Sequence, residues 1–398
     1  MQDRNYDLVV VGGGIHGVGV AQEATAKGYS VLLIEKKEIA SGTSGASSKL
    51  IHGGLRYLEG MELSLVRECL TERAALLRLA PDLVKLKPFH FPVYKGKGRP
   101  SWQIRAGLTL YWALSGFSKD NKFSTIPRSE WPDMDGLRTD GLEKIFRYYD
   151  GQTDDALLTK AVMHSAISLG ADLAMPATLN SGELLNDGIK LTYTEGEEVK
   201  TCVAKVLINA AGPWANSTLG LVRPLTQGLE MDLVQGTHIV VEGALEKGMY
   251  FLEAPQDKRM VFALQWQGNT MVGTTETLFS RHPDDVKPLD EEIEYLKEVL
   301  VYYFPRFKES IEKGLLSSFA GLRVLPVDDK SHFHKSRETV LHPDREKSPR
   351  VLTIYGGKLT AYRATARKVL KRLESSLPKR KAIADRSNLM LKQTESGE

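Results

Sequence analysis

A short, largely apolar run from Asp7 to Val11 opens into Gly12-Gly13-Gly14-Ile15-His16-Gly17, and this junction limits what the rest of the chain can build. Small and apolar residues from Val18 to Lys27 suit a helix packed on a sheet, and after Gly28 a second apolar run, Ser30 to Ile34, ends in Glu35. The spacing predicts a β-α-β unit. Its crossover is right-handed, so the helix N-terminus faces the carboxyl ends of the strands, where ligands of open α/β sheets bind. Gly12, Gly14 and Gly17 form GxGxxG. The first glycine permits the tight turn, the second lets backbone approach a pyrophosphate, and the third lets helix and strand pack closely. Glu35 can accept from ribose hydroxyls and would repel a 2′-phosphate, which disfavours NADP. GxGxxG by itself is a weak signal, but strand, helix and acid in this order predict a dinucleotide site. His16 is read as a packing or backbone-bonding residue of the turn.

Only one such fingerprint occurs, so two nucleotide cofactors cannot both use it. The chain returns to glycine-containing strand ends at Gly212 and Gly356, which suggests a longer cofactor and a flavoenzyme reduced directly by its substrate. The 398 residues carry 53 Lys+Arg against 50 Asp+Glu, a net charge of +3 that gives no argument for nucleic-acid binding. At this length two interleaved domains are expected. Cys69 and Cys202 are the only cysteines and form no CxxC, so neither a disulfide framework nor a cysteine zinc site is indicated. The N-terminus has no signal-peptide pattern, and no uncharged apolar run approaches the roughly 18 residues of a membrane span. A cytoplasmic protein, with any membrane contact peripheral, is expected.

Helical spacing is read over Leu63 to Ala80, ending at Pro81, and over Thr159 to Leu169, closed by Gly170. Between Leu184 and Ala211 a hairpin precedes a buried strand, Lys205 to Asn209, that runs into Ala210-Ala211-Gly212-Pro213. From Gly236 to Thr275 successive β-rich runs (His238 to Val241, Met260 to Gln265, Thr270 to Val272) predict a separate antiparallel sheet. Asp290 is read as the cap of a helix through Tyr303. Val351 to Tyr355 is a strand, Gly356-Gly357 a turn, and Lys358 to Glu374 a helix.

The segment Ser41-Gly-Thr-Ser-Gly-Ala-Ser-Ser-Lys-Leu-Ile-His-Gly-Gly-Leu-Arg-Tyr-Leu-Glu59 closely resembles the FAD-dependent glycerol-3-phosphate dehydrogenase and oxidase family. The resemblance extends, in the family's order, to Asn209-Ala-Ala-Gly-Pro-Trp-Ala215, Gln235-Gly-Thr-His-Ile-Val-Val241, Val272-Gly-Thr-Thr-Glu276, Gly321-Leu-Arg-Val-Leu-Pro326 and Tyr355-Gly-Gly-Lys-Leu-Thr-Ala-Tyr-Arg363. It covers about 5 to 375. It implies the D-amino-acid-oxidase-type fold, of class α/β plus α+β: a discontinuous Rossmann-like FAD-binding domain with an interleaved antiparallel-sheet substrate domain. We assign 1–80, 150–225 and 315–377 to the FAD-binding domain, 81–149 and 226–314 to the substrate or cap domain, and 378–398 to a loosely ordered basic, polar tail. Three positions depart from the family pattern. Glu276 stands for an aspartate, His16 for an asparagine, and Arg323-Val324 for Arg-Pro. Longer members also carry a C-terminal helical domain that this sequence stops before, and the oligomeric state is left open.

The resemblance implies oxidation of sn-glycerol 3-phosphate to dihydroxyacetone phosphate, with hydride passing from C2 to flavin N5 and electrons going on to quinone. An oxygen-reducing oxidase or a related FAD-dependent oxidoreductase, and a flavin-binding scaffold without turnover, are the alternatives. Such chemistry needs a base for the hydroxyl proton and cations for the phosphate and developing alkoxide. The expected catalytic residues are His238, Arg323 and Lys358, with Arg56 and Tyr57 joining them around the substrate. His238 is chosen because imidazole titrates near working pH, while His52, His332 and His334 remain open as bases. His332-Phe-His334 is read as exposed, and no metal site is expected. Cofactor contacts are expected from Gly12, Gly14, Gly17, Glu35, Ser47, Ser48, Gly53, Gly54, Gly212, Gly356, Gly357 and Lys358. The helix opening at Gly356-Gly357-Lys358 is expected to aim its N–H dipoles at flavin N1 and O2.

One segment is strongly biased. Residues 85–128 hold nine Lys/Arg and a single acid, Asp120, interleaved with Trp102, Tyr111, Trp112 and Phe117. Trp102 to Leu114 reads as an amphipathic helix, with Ile104, Leu108 and Leu110 to Trp112 apolar, suited to an anionic membrane surface.

Overall fold

The computed structural model describes residues 4–327 and 339–392. The β-α-β unit forms as Arg4–Val11, Ile15–Ala26 and Val31–Ile34, its two strands paired in parallel. These strands join a nine-stranded sheet organised around Glu198–Asn209. One edge of that strand pairs in parallel with Arg4–Val11. The other edge pairs first with Gly188–Glu195, antiparallel, and then with Val351–Tyr355, parallel. Val11 is opposite Asn209, and Asn209 is opposite Thr353, so three strands end side by side. Gly12, Ala210 to Gly212, and Gly356-Gly357 continue from those ends and form the crevice edge expected of this sheet type. Apolar side chains from Val10, Leu33, Ile208 and Leu352 bury against the helices Ile15–Ala26, Asp155–Ser168 and Tyr362–Arg372. Gly19 admits the ring of Tyr362, which would lie 2.6 Å from a β-carbon there.

The second sheet has ten strands and one exception to the expected antiparallel order, since Met249–Glu253 runs parallel to Val84–Tyr94. It also draws strands across the assigned boundaries. Ser317–Pro326 pairs over its whole length with Met231–Val241, so this segment belongs to the second sheet although 315 onward was assigned to the first domain. Leu142–Thr153 and Leu50–Ile51 likewise pair within the second sheet. Such pairings join residues distant in sequence, which local patterning cannot reveal.

Three local expectations change. The helix expected from Lys358 begins only at Tyr362, because Gly356 (φ 69°) and Gly357 (φ 104°) are left-handed and Lys358 to Ala361 close a turn first. Asp290 lies inside its helix, Asp290–Tyr303, and Leu289 occupies the cap position. The tail from 378 to 392 is docked rather than loose. Arg380 bonds both oxygens of Asp7 at 2.9 and 3.1 Å, Arg386 pairs with Glu23, and Leu391 enters the first core at 3% exposure. A composition that is polar on average hides one anchoring leucine and two carboxylates waiting for its arginines. No helix among the described residues is long and apolar enough to cross a membrane.

Candidate active site

The carboxyl ends of the first sheet and the near face of the second enclose a cavity of about 680 Å³. Its glycine-turn end is fixed by backbone donors. The Gly13 N–H donates to Glu35 Oε2 at 2.6 Å, and the Lys37 N–H to Glu35 Oε1 at 2.7 Å. Glu35 therefore braces the turn while still lining the cavity, since a carboxylate has more acceptor sites than these two donors use. The Ile15 N–H donates to Ser44 Oγ at 2.9 Å. Gly12 (φ 111°) abuts the Ala210 carbonyl, and a β-carbon at Gly17 would overlap the Gly12 carbonyl oxygen. Gly17 lies outside the cavity wall, as its packing role requires, whereas Gly12, Gly14, Gly212, Gly356 and Gly357 all line it.

At the opposite end, the period of two along Met231–Val241 separates two tasks. Gln235 and Thr237 point away from the cavity and donate to Glu292 Oε2, each at 2.6 Å, while Thr275 and Thr277 donate to Glu292 Oε1 at 2.7 Å. Burial would raise this carboxyl, but the converging donors hold it below its ordinary range. Gly236 and His238 face the cavity. Gly236 is paired with Gly321 on the neighbouring strand, and His238 with Phe319. The glycine pair leaves floor space between a histidine stacked on Phe319 (4.9 Å between centroids) and Arg323, two residues further along.

His238 Nε2 lies 2.9 Å from Ser48 Oγ. At 2% exposure, its imidazole is pushed down to about 3 by burial, and then by the nearby charges of Lys49 and Arg323. The expectation that it titrates near working pH is thus corrected: in the free protein it is neutral across the physiological range. His16 is driven down to about 4 by burial and by Lys358. Lys49, buried beneath the turn, pairs with Asp155 at 2.5 Å, and Asp155 also accepts from the Ser47 N–H at 2.9 Å. Ser47 and Ser48 both line the cavity.

The expected cations gather here. Arg56 Nη1 and Arg323 Nη1 reach the same oxygen, Glu276 Oε1, at 3.3 and 2.9 Å. Lys358 Nζ lies over the Tyr57 ring at 4.8 Å, and all four of these cation and phenol side chains line the cavity with His238 and His52. Gly53 and Gly54 do not. The absent side chain of Gly53 makes room for Tyr111 Oη and Leu70, and that of Gly54 (φ 76°) for the Tyr57 ring, so both glycines are needed for the packing of the turn.

That turn is held by a group the sequence reading missed. Asp150 Oδ1 accepts from the Gly53 N–H at 3.1 Å and from Tyr111 Oη at 3.0 Å, and pairs with the buried guanidinium of Arg73. Arg73 also donates to Asn121 and to the Tyr149 carbonyl, the latter at 2.9 Å. The four polar side chains come from separate elements and share no spacing, so no motif announces them. Glu292 had no signal beyond its place in a helix's first turn. His332 and His334 lie outside the described residues.

The cavity fits an FAD-sized ligand. Its volume falls within the range of roughly 300–1,000 Å³ usual for small-molecule sites. Three residues of its wall, His16, Trp214 and His238, each carry a buried ring nitrogen (Nδ1, Nε1 and Nδ1) with no hydrogen-bond partner among the described residues.

Comparison with known proteins agrees. The chain is 34% identical over 382 residues to the D-erythritol 1-phosphate dehydrogenase of Brucella abortus, spanning 95% of this chain and 75% of that one. It is 37% identical over 384 residues to the glycerol-3-phosphate dehydrogenase of Pseudomonas aeruginosa, spanning 93% and 72%. The glycerol-3-phosphate dehydrogenase of Bacillus halodurans, solved in complex with FAD, superposes with a TM-score of 0.73 at 26% identity, over 98% of this chain and 68% of that one. The FAD dependent oxidoreductase family matches residues 7–363, and with the glycine turn, the paired strand ends and the cation-lined cavity this establishes that the chain is an enzyme of that family, with FAD as its cofactor.

Proposed function

We propose that this enzyme oxidises sn-glycerol 3-phosphate to dihydroxyacetone phosphate. The observation that carries the reading is that Arg56 and Arg323 meet at one carboxylate and line, with Lys358, the same cavity as neutral His238. Guanidinium forks suit a phosphate dianion, because each can give two parallel charge-assisted hydrogen bonds. Tyr57 adds a phenolic donor beside them. Phosphate binding orients the neighbouring secondary alcohol, and neutral His238 takes the hydroxyl proton at an imidazole nitrogen. A phosphate dianion close by offsets the repulsion from Lys49 and Arg323, so protonation of His238 becomes easier once substrate is bound. Lys358 stabilises negative charge developing on the alcohol oxygen.

Gly12, Gly14, Glu35, Ser47, Ser48, Gly212, Gly356, Gly357 and Lys358 would hold FAD, its diphosphate at the glycine turn, where the positive end of the Ile15–Ala26 helix dipole favours an anion. When bound, its isoalloxazine supplies the acceptor for the hydride leaving substrate C2. Electrons then pass to a quinone.

Contact with an anionic lipid surface through 85–128 is supported by the outer side of the Ser101–Leu114 helix. Ile104, Leu108 and Tyr111 are buried against the protein, against the expectation that they face lipid. Trp102 (71% exposed) and Phe117 (61%) instead project outward, with exposed Arg105, Lys119 and Lys122 nearby in the chain. Such a mixture suits a headgroup layer. Vesicles containing phosphatidylglycerol should float the protein, vesicles of phosphatidylcholine alone should not, and a Trp102→Ala/Phe117→Ala double variant should stay at the bottom of the gradient. Equal flotation of that variant would remove this surface from the account.

Anaerobic addition of glycerol 3-phosphate to the FAD-loaded enzyme should bleach the flavin spectrum. Erythritol 1-phosphate in a parallel cuvette gauges the preference for chain length. Reoxidation by a quinone analogue should outpace reoxidation by air, and the reverse order would favour an oxidase. A spectrum that no phosphorylated polyol changes would defeat the dehydrogenase and oxidase readings together.

A further inference from the structure

The two arginines proposed to grip phosphate are held together by a single carboxylate. Glu276 Oε1 accepts from Arg323 Nη1 at 2.9 Å and from Arg56 Nη1 at 3.3 Å. Because both nitrogens touch one oxygen, they lie no more than about 6 Å apart, a gap one phosphate can span with hydrogen bonds of about 2.8 Å on each side. The elements bearing these arginines are not neighbours in the chain. Arg56 lies on the Leu55–Leu58 turn and Arg323 on Ser317–Pro326, elements from distant parts of the chain.

Glu276 is itself fixed. Its backbone carbonyl accepts from Arg259 Nη1 at 2.9 Å, and Arg259 Nε pairs with Asp257 at 3.0 Å. The carbonyl before it, that of Thr275, accepts from Arg323 Nη2 at 2.8 Å. Arg56 and Arg323 line the cavity whereas Glu276 does not, so the carboxylate approaches the pair from behind. It offsets the repulsion between two adjacent guanidiniums without occupying the place of the substrate anion.

We infer that Glu276 is a positioning residue that sets the spacing of the Arg56–Arg323 phosphate clamp and thereby the preference for a phosphorylated over an unphosphorylated alcohol. The inference rests on the function proposed above. Glu276→Gln removes the charge and sets an amide where two guanidiniums converge, so the arginines separate. KM for glycerol 3-phosphate should rise about tenfold while kcat changes less than threefold, the pattern of lost binding that is equal in ground and transition states. The inhibition constant of inorganic phosphate should rise in parallel. Unphosphorylated glycerol, offered at high concentration, should react as in the parent enzyme, so discrimination between the two substrates falls about tenfold. Glu276→Asp keeps the charge but is shorter by one methylene, and should restore part of the loss.

An unchanged or tighter KM and phosphate constant in Glu276→Gln would overturn the inference, as would an equal loss toward glycerol, which would mark a general structural defect. Should Glu276→Gln fail to hold FAD, Glu276→Asp decides by the same two ratios. If the parent enzyme is not bleached by glycerol 3-phosphate yet inorganic phosphate still protects it against heating, and does so less in Glu276→Gln, the functional proposal fails while the clamp stands.

Discussion

Gly17→Ala should yield a protein that retains little FAD and unfolds at a far lower denaturant concentration than the parent. A β-carbon at this position overlaps the Gly12 carbonyl oxygen, an atom of the main chain that no rotamer change can move aside. Gly12 has no room to retreat, because its own α-carbon is pressed toward the Ala210 carbonyl, only 2.5 Å from where a β-carbon would lie. Relief therefore requires the Ile15–Ala26 helix to lift from the sheet, which also moves the N–H groups proposed to meet the cofactor diphosphate. Forcing an extra methyl into a packed interior costs about 1–3 kcal/mol, occasionally more, and a clash of backbone with backbone belongs at the upper end. Gly107→Ala is the matched control, since a β-carbon there meets nothing within 4 Å and a helical glycine gains from the change. The ratio of flavin to protein absorbance, with urea midpoints, reads both effects. Full flavin content and an unshifted midpoint in Gly17→Ala would show that the helix and turn are looser than their geometry indicates.

Arg323→Ala should lower kcat/KM for glycerol 3-phosphate by roughly 100- to 10,000-fold, corresponding to loss of two charge-assisted hydrogen bonds at about 1.5–3 kcal/mol each. The change leaves Glu276 with one fewer cation and opens the cavity floor beside the Gly236–Gly321 pair. It also removes one of the charges that depress His238, so the imidazole rises toward its ordinary range. Arg323→Lys keeps the charge but loses the planar fork, and should regain only a minor part of the loss. Steady-state assays with an artificial acceptor separate these variants. A KM indifferent to Arg323→Ala would mean that phosphate is bound elsewhere.

The sequence was most readable where the physics is local. The β-α-β unit follows from contiguous residues, and the helix Leu63–Leu79 is capped by Ala80, directly before Pro81. The strand Val351–Tyr355 was equally plain. Errors arose where a distant partner decides. Gly356-Gly357 look like a helix entrance, yet their left-handed conformations delay the helix by a turn. Polar composition in 378–392 gave no hint of Leu391 or of the carboxylates of Asp7 and Glu23. That Gly53 and Gly54 also make room for Tyr111 and Tyr57 depends on partners outside their motif or on its folded turn. His238 was identified by motif, while its depressed pKa comes from burial and then from Lys49 and Arg323, surroundings that only the folded chain creates. The motif Gln235-Gly-Thr-His238 shows the division clearly: its alternation is written in the sequence, but that Glu292 waits behind one face is not.

The side-by-side ending of three strands has a cost in time. Arg4–Val11 leaves the ribosome early, yet Asn209, opposite Val11, follows roughly 200 residues later, and Thr353 later still, so at about 10 residues per second the crevice edge stays incomplete for roughly half a minute. Until Glu198–Asn209 emerges, the apolar half of Arg4–Val11, Leu8 to Val11, has an unpaired side, the circumstance in which nascent chains associate wrongly or recruit chaperones. Synthesis rate and chaperone supply should therefore govern the yield of this enzyme more than its final stability does.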